Sequence, residues 1–297
     1  MDIKWVRTFI ISAKYENFRE ASEELFLTQP AVTKHIKRLE ESLNILLFER
    51  IGTRVTLTPA GHKFLFLARE LITNYEQGIM DFESWKQGYN RKLIIAAAPQ
   101  IASSFLPALL RKFMDEHPYI EVIINVLSSY DIGKEVSAGS ADLGLSRIQP
   151  VQTNLRTETV HNESVRLIGP NEPSLDEQTV LKKYRLITHN HPDYWEDLLH
   201  EIKRHYPTVK TMKVNQVEVT KRFIEAGLGV SFLPLTVVKE EIGLNKLVEI
   251  KSDKIISPTS STYLLTKVET EEVLAFAEFL KSTIKNQENE KAPQMRC

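Results

Sequence analysis

A short stretch near the N-terminus combines helical spacing with side chains that can contact nucleic acid. Its apolar residues recur at steps of four, three and four, which predicts one buried helical face: Val32, Ile36, Leu39 and Leu43. The opposite face carries the polar residues Gln29, Thr33, Lys34, Lys37 and Arg38. Glutamine can pair with adenine, threonine with bases or phosphates, and lysine or arginine with guanine or phosphate. The alternative interpretation is a charged face that is merely solvated.

Basic charge is concentrated around this helix, although the whole chain is nearly neutral. The 297 residues carry 38 basic and 39 acidic side chains, a net charge of −1. Between Thr28 and Lys63, six basic residues stand against three acidic ones, a local charge of +3. The basic residues are Lys34, Lys37, Arg38, Arg50, Arg54 and Lys63. This local surplus favours DNA contact over a solvated face.

The apolar spacing and turn residues of 1–58 predict three short helices followed by a hairpin. Thr28 is placed to cap the third helix, and Pro30 suits its first turn. Two short helices joined by the turn 26–28 form a helix-turn-helix arrangement, whose second helix enters the DNA major groove. Arg54, near the tip of the predicted hairpin, is placed to reach a phosphate or the minor groove.

Residues 59–90 predict one long helix between two unlike regions. Apolar or small residues recur at alternating steps of four and three over three heptads: Phe64, Ala68, Leu71, Tyr75, Gly78, Phe82 and Trp85. Such a seam packs against a partner helix in a coiled coil. The alternative is a helix that packs on its own domain alone. We favour the partner helix because the two ends flank unlike regions.

From Arg91 onward, short apolar runs alternate with helical segments, which favours βαβ units and mostly parallel sheets. The predicted strands are 93–98, 121–127, 142–146, 185–188, 211–214 and 230–233. About 205 residues is long for one such unit, so two subdomains are predicted. The last helix is predicted near 270–284, followed by a disordered polar tail from Lys285.

Composition excludes several classes of protein. Hydrophobic residues make up 42% and charged residues 26%, unlike a collagen-like or disordered chain. The single cysteine, Cys297, allows no internal disulfide, which suits a reducing cytosol. The N-terminus lacks a secretory signal pattern, and no apolar run approaches the roughly 20 residues that span a bilayer. We therefore expect a cytoplasmic protein without a membrane segment.

Four short motifs follow one another within the first 61 residues. They are NFREASEELFLTQPAVT at 17–33, Leu39-Glu40, Leu47-Phe48-Glu49-Arg50 and Leu57-Thr58-Pro59-Ala60-Gly61. Together they resemble the N-terminal signature of LysR-type transcriptional regulators, and the chain length and α/β second half match that family. Asn17-Phe18-Arg19 and Lys34 depart from the common family pattern at places that affect phosphate contacts.

The resemblance implies a winged helix-turn-helix over 1–58, a dimerising linker helix over 59–90 and a two-lobed effector domain over 91–297. That domain is similar to periplasmic binding proteins, which gives an α/β fold overall. By analogy, lobe I comprises 91–161 plus 267–297, and lobe II comprises 162–266. Family members commonly act as a dimer of dimers on an interrupted palindrome in promoter DNA, and bending of the promoter alters how RNA polymerase is engaged. The stretch 188–195 is similar to a subgroup in Gram-positive bacilli that controls central carbon or sulfur metabolism genes.

Carried over by position, Gln29, Pro30, Thr33 and Lys34 fall at DNA-reading positions of the family, and Arg50 and Arg54 fall in its wing. Pro30 is expected to shape the start of the helix rather than to read bases. The full set of predicted DNA-binding residues is Thr28, Gln29, Pro30, Thr33, Lys34, Lys37, Arg38, Arg50 and Arg54.

The fold implied by the resemblance binds its ligand between the lobes, at strand C-termini and helix N-termini. Small hydroxyls and helix N-termini suit a small metabolite of carboxylate or amino-acid-like character. The predicted effector-binding residues are Gln100, Ser103, Ser104, Ser128, Ser129, Ser146, Arg147, Thr188, His189, Asn190 and Gln216. For any single serine or threonine, the alternative role is a helix cap.

The sequence offers little support for catalysis or metal binding. His189, His191 and Asp193 lack the spacing of a zinc site, and Asp193 is instead predicted to cap the helix 194–205. No cofactor is expected. The predicted function is a metabolite-responsive transcriptional regulator. The alternatives are a cytosolic bilobal enzyme or carrier with an accessory N-terminal domain, and a repressor that needs no small molecule.

Overall fold

The computed structural model describes residues 1–51, 54–172 and 175–291. The chain forms two compact units, Met1–Gly88 and Tyr89–Cys297. The first is mainly helical, and the second combines helices with a mixed β-sheet. In the described ranges, no helix is both long and apolar enough to cross a membrane.

The first unit begins with the helices α1 (Ile3–Tyr15), α2 (Phe18–Glu24) and α3 (Gln29–Leu43). Each helix starts after a residue whose side chain accepts hydrogen bonds from helical N–H groups: Asp2, Asn17 and Thr28. The capping role predicted for Thr28 is confirmed, because its Oγ1 accepts from the N–H of Ala31 at 3.4 Å. The three apolar faces meet in one core, to which α3 contributes Val32, Ile36 and Leu39.

A hairpin of β1 (Phe48–Ile51) and β2 (Arg54–Leu57) follows α3. Glu40 of α3 ties the hairpin to the helix. Its Oε1 accepts from the N–H of Leu47 at 2.8 Å and from the N–H of Phe48 at 3.1 Å. Gly52 and Thr53 at the hairpin tip lie outside the described residues.

The long helix α4 (Pro59–Lys86) begins directly after β2. Thr58 accepts a hydrogen bond from the N–H of Gly61 at 3.0 Å, and Pro59 occupies the first turn, where no N–H is needed. A Cβ added to Gly61 would lie 2.1 Å from the carbonyl oxygen of Leu47, so glycine is required at this contact. The motif 57–61 therefore joins α4 closely to the hairpin.

The apolar seam of α4 divides into two parts. Phe64 and Ala68 pack in the core of the first unit, and the Phe64 ring lies 5.2 Å from the ring of Phe9. The later seam residues are exposed, and they include Leu71, Tyr75, Phe82 and Trp85. Packing on its own domain therefore accounts for the first half of the seam alone.

The second unit contains β3 (Arg91–Ala97), α5 (Pro99–Ser103), α6 (Leu106–Glu116), β4 (Ile120–Val126), α7 (Ser129–Ala138), β5 (Leu143–Ser146), β6 (Arg156–Pro170), α8 (Glu177–Lys183), β7 (Arg185–Thr188), α9 (Trp195–His205), β8 (Thr211–Lys213), α10 (Val217–Glu225), β9 (Gly229–Pro234), α11 (Leu235–Gly243), β10 (Leu247–Ile250), β11 (Thr259–Thr266) and α12 (Glu271–Lys291). The strands follow the order β4-β3-β5-β11-β6-β9-β7-β8, and β10 pairs with β6. β3 pairs in parallel with β4 and β5, and β7 with β8 and β9, whereas β6, β10 and β11 pair antiparallel.

Separate apolar cores divide the second unit into two lobes. The first lobe consists of β3–β5, α5–α7 and α12, which enclose one core. The second lobe consists of β7–β10 and α8–α11, which enclose two further apolar cores. β6 and β11 pair with each other and connect the lobes, with a register shift between Thr262 and Tyr263. The lobe limits given by the resemblance stay predictions.

Most of the predicted parallel strands and helices are present, but β6, β10, β11, α8 and α11 were not predicted. β6 is exposed and polar in its first half and buried in its second, so it shows neither regular alternation nor one apolar run. The predicted polar tail begins too early, because α12 continues to Lys291. Residues 292–297 lie outside the described part of the chain.

Candidate DNA-reading helix and effector cleft

The polar face of α3 presents an amide and a hydroxyl together at its first turn. Nε2 of Gln29 donates to Oγ1 of Thr33 at 3.1 Å, and that hydroxyl donates to the carbonyl oxygen of Gln29 at 3.1 Å. Gln29 is exposed and Thr33 is half-buried. The two side chains thus form a small hydrogen-bonding surface that can meet a base edge.

The cations on this face differ in how strongly they are held. Nζ of Lys37 lies 3.8 Å from Oε1 of Glu41, and the guanidinium of Arg38 lies over the ring of Trp5 at 5.8 Å. Lys34 is exposed and has no ion-pair partner among the described residues. Lys34 is therefore free to reach a phosphate or a guanine.

The remaining predicted DNA-binding residues lie at the start of α3 and in the hairpin. Thr28 caps α3 and Pro30 lies in its first turn, so both shape the start of the helix. The backbones of Arg50 and Arg54 pair within the hairpin. The side chains of these two arginines lie outside the described part of the structure, and their DNA contacts stay predictions.

A cleft of about 830 Å³ lies between the two lobes of the second unit. Its volume is within the range of small-molecule sites in proteins. Seven of the predicted effector-binding residues line it: Gln100, Ser128, Ser129, Arg147, His189, Asn190 and Gln216. They come from both lobes, as a site between lobes requires.

Four other predicted residues do not line this cleft. Ser104 donates to the carbonyl oxygen four residues earlier at 2.6 Å, and Ser146 donates to the carbonyl oxygen two residues later at 2.8 Å. Thr188 is buried and bonds the adjacent imidazole at 2.7 Å. Ser103 is exposed at the end of α5. The hydroxyls of Ser104, Ser146 and Thr188 therefore take part in local hydrogen bonds rather than facing the cleft.

The guanidinium of Arg147 is fully buried in the wall of the cleft. Its Nη1 lies 3.0 Å from Oε1 of Glu163, 3.0 Å from Oγ1 of Thr262 and 3.3 Å from Oγ of Ser260. Nε and Nη2 have no hydrogen-bond partner among the described residues. Burial lowers the pKa of Arg147, and the adjacent carboxylate of Glu163 opposes that shift. A guanidinium with two unsatisfied nitrogens is costly to bury, so this wall is suited to an anionic acceptor.

Glu163 links Arg147 to the second lobe. Its Oε2 accepts from the N–H of Thr236 at 2.8 Å, and its Oε1 accepts from the hydroxyl of Thr236 at 2.8 Å. Glu163 lies on β6, which connects the lobes, and Thr236 lies in the first turn of α11. The buried ion pair thus sits where the two lobes are joined.

His191 lies buried beside this ion pair. Its Nδ1 accepts from the N–H of Asp193 at 3.2 Å, which assigns the ring proton to Nε2, 2.9 Å from Oγ of Ser260. The ring stacks on Tyr194 at 4.3 Å. Burial, and then the positive charge of Arg147, hold the pKa of His191 well below its usual value. The imidazole is therefore neutral at pH 7 and adds no cation to the cleft.

Hydrogen bonds cross the cleft from lobe to lobe. Nε2 of Gln100 donates to the carbonyl oxygen of Asn190, and the hydroxyl of Tyr130 donates to the carbonyl oxygen of Pro192 at 3.0 Å. The amide of Asn190 is itself fixed, because its Oδ1 accepts from Nε1 of Trp195 at 3.0 Å. These contacts hold the loop after β7 against the first lobe.

The cap predicted for α9 is wrong. The helix begins at Trp195 without a side-chain cap, and Asp193 instead donates its N–H to His191. The described residues contain no group of three or more His, Cys, Asp or Glu that could hold a metal ion. His189, His191 and Asp193 line the cleft as separate polar groups.

Several cleft residues were not predicted as effector-binding, and they include Tyr130, His191, Pro192, Asp193, Trp195, Glu196 and Asn215. Tyr130, His191 and Asn215 are each next to a predicted residue, whereas the others lie in the loop after β7 or in the first turn of α9. Position along the chain could therefore have found them, but residue type could not.

The comparisons with known proteins match both units. Residues 3–62 match the family described as bacterial regulatory helix-turn-helix protein, lysR family, and residues 86–285 match the LysR substrate binding domain. The chain is 38% identical over 286 residues to the HTH-type transcriptional regulator CitR of Bacillus subtilis, covering 94% of this chain and 98% of CitR. It is 39% identical over 278 residues to the uncharacterized HTH-type transcriptional regulator YxjO of the same species, covering 93% and 96%.

Solved structures share the fold over nearly the whole chain. Vibrio fischeri DarR in complex with DNA aligns with a TM-score of 0.65 at 21% identity, covering 95% of this chain and 98% of that one. Full-length CbnR complexed with its target DNA aligns with a TM-score of 0.64 at 20% identity, covering 95% and 99%.

A helix-turn-helix unit followed by a bilobal α/β unit with an interlobe cleft defines the class of effector-responsive DNA-binding regulators. The chain belongs to the LysR family of transcriptional regulators. This confirms the predicted family, fold class and regulatory function, and the enzyme or carrier alternative is wrong. The two Bacillus relatives also agree with the predicted bacillus subgroup.

Proposed function

We propose that α3 is the recognition helix and that it contacts promoter DNA through Gln29, Thr33, Lys34, Lys37 and Arg38. The observation that carries this proposal is the exposed polar face of α3. On it, Lys34 has no ion-pair partner among the described residues. Arg50 and Arg54 of the hairpin would add phosphate or minor-groove contacts. In this proposal α3 contacts the bases. The hairpin contacts the DNA backbone and so fixes the position of the protein along the duplex.

We propose further that the effector is a small carboxylate bound at Arg147. The two unsatisfied guanidinium nitrogens match the spacing of two carboxylate oxygens, which an arginine binds in bidentate fashion. Ser128, Ser129 and Gln216 lie along the same cleft at the starts of α7 and α10. Neither helix has a side-chain cap hydrogen bond, so their first N–H groups and dipoles favour an anion.

The regulatory step in this proposal is a change in lobe angle. An effector that binds the closed cleft better than the open one shifts the population towards closure. The bonds from Gln100 and Tyr130 to the loop after β7 belong to the closed arrangement. The shift in lobe angle then alters how the oligomer holds DNA.

The oligomer in this proposal is built on α4. A second copy of the helix would cover the exposed residues Leu71, Tyr75, Phe82 and Trp85 by coiled-coil packing. Two dimers form a tetramer, in which paired recognition helices enter major grooves about 34 Å apart. The bent promoter changes how RNA polymerase is engaged. The protein acts in the cytoplasm, and central carbon or sulfur metabolism genes are its proposed targets.

Lys34→Ala tests the assignment of the recognition helix. A DNase footprint on the DNA flanking this protein's own gene compares the wild type, Lys34→Ala and Lys112→Ala, which removes an equal charge from α6. We expect the wild type and Lys112→Ala to protect the same site and Lys34→Ala to lose specific protection, because Lys34 directly contacts DNA. Circular dichroism and sedimentation establish that fold and oligomer are unaltered. Unchanged protection by Lys34→Ala would overturn the assignment.

A further inference from the structure

Besides the two nitrogens of Arg147, the cleft contains a further buried polar atom without a partner among the described residues, Oε1 of Gln100. The side chain of Gln100 is buried, and its Nε2 donates to the carbonyl oxygen of Asn190, a group that can only accept. This contact fixes the orientation of the amide. Oε1 then has no hydrogen-bond partner among the described residues. The cleft therefore offers an unsatisfied acceptor at Gln100 together with unsatisfied donors at Arg147.

The charge balance of the cleft limits what it can bind. Arg147 is the cation among the described lining residues, and it is already paired with Glu163 at 3.0 Å. Asp193 and Glu196 line the second-lobe side of the cleft and are exposed. A ligand with several negative charges would meet these carboxylates without compensating cations, which is unfavourable. A zwitterion, which carries one negative and one positive group, adds no net charge to the cleft.

We infer that the effector is a zwitterionic amino acid. Its carboxylate pairs with Nε and Nη2 of Arg147, and its ammonium group donates to Oε1 of Gln100. Asp193 and Glu196 at the rim favour positive charge on the ligand. Because this inference names the ligand of the proposed effector site, it rests on the proposed function. Di- and tricarboxylates are disfavoured by the same charge balance.

Isothermal titration calorimetry of the full-length protein tests the inference with three sets of probes. They are the common α-amino acids, the 2-oxo acids with the same carbon skeletons, and small di- and tricarboxylates. We expect saturable binding of at least one amino acid, with its 2-oxo acid about 10- to 100-fold weaker, as the loss of a charged hydrogen bond implies. A 2-oxo acid or polycarboxylate that binds as tightly as any amino acid would overturn the inference. So would the absence of saturable heat with every amino acid.

Arg147→Lys separates failure of the inference from failure of the proposed site. If a carboxylate without an amino group binds the wild type at least as tightly as every amino acid, and Arg147→Lys abolishes that binding, the carboxylate site stands and the amino-acid inference is wrong. If no probe binds, or if Arg147→Lys binds every probe as the wild type does, the proposed carboxylate site and the amino-acid inference are both wrong.

The acidic rim provides a second measurement with a matched control. Asp193→Asn combined with Glu196→Gln changes exposed groups alone, and we expect about three- to tenfold weaker amino-acid binding. The affinity for the anionic 2-oxo acids should not fall and should rise slightly, because two negative charges near the bound carboxylate are removed. Asp115→Asn combined with Glu116→Gln removes the same charges from α6, outside the cleft, and is expected to change neither affinity. Equal losses in the two double variants, or no loss in the first, would contradict the inference.

Discussion

At the scale of residues, buried polar atoms without partners support the proposed ligand site more strongly than residue type does. Among the residues that the structure describes, Nε and Nη2 of Arg147 and Oε1 of Gln100 are buried without a hydrogen-bond partner, and both residues line the cleft. Leaving such groups unpaired costs about 1–3 kcal/mol each, more when charged, and a ligand that pairs them recovers that free energy. In the proposed effector site, ligand binding would offset this cost.

The neutral state of His191 makes stability depend on pH. Its pKa in the folded protein lies well below the usual 6.5, so the unfolded chain binds the proton more readily. The stability that depends on neutral His191 is fully present above pH 6.5 and is lost as the pH falls below it, by at most about 1.4 kcal/mol per unit. Urea denaturation at pH 7 and pH 5 should therefore show a larger loss for the wild type than for His191→Gln. An equal loss in both proteins would contradict the assignment of a neutral imidazole.

The sequence predicts which chain segments reach the cleft, but not which hydroxyls face it. Ser128 and Ser146 both lie at the end of a strand, yet Ser128 lines the cleft and Ser146 bonds a nearby carbonyl oxygen. The difference depends on the side to which the chain turns after the strand. That direction is set by tertiary packing and is absent from the local pattern.

At the scale of elements, one carboxylate links α3 to the hairpin. Oε1 of Glu40 satisfies the N–H groups of both Leu47 and Phe48, and the side chains of these two residues are buried in the core of the first unit. The position of the hairpin relative to α3 therefore depends on Glu40. This contact gives the Leu39-Glu40 motif a physical reason.

Glu40→Ala is expected to destabilise the first unit by about 1–3 kcal/mol, because it leaves two buried N–H groups unpaired. Glu40→Gln removes the same charge and keeps an acceptor oxygen, so its loss should be clearly smaller. Thermal unfolding followed by circular dichroism measures both, and operator affinity should fall with the loss of hairpin placement. Similar melting temperatures for the two variants would contradict this role.

Elements with a uniform environment are predictable, and elements that change environment are not. The predicted strand 185–188 is observed as β7, which is buried along most of its length. β6 is not predicted, since it runs from an exposed first half into the buried second lobe. The long helix α4 is correctly predicted and the partner for its heptad seam stays a prediction. The sequence cannot show that Phe64 and Ala68 of that seam pack on the unit's own core.

At the scale of the whole molecule, the net charge of the chain conceals how charge is distributed along it. A net charge of −1 gives no sign of DNA binding, yet residues 28–63 carry a local charge of +3 around α3 and the hairpin. Residues 91–297 carry 26 basic and 27 acidic side chains, which suits a sensor that does not itself bind DNA. The exposed apolar half of α4 supplies the surface for the proposed dimer.

The most direct test of ligand-controlled DNA binding is a footprint of the full-length protein on the DNA flanking its own gene. The measurement compares the wild type with Arg147→Lys, each with and without a pool of amino acids, 2-oxo acids and polycarboxylates. We predict that both proteins protect the same site without the pool, and that the pool changes the extent of protection for the wild type alone. Protection that is identical under all conditions, or that changes equally for both proteins, would contradict control through the cleft.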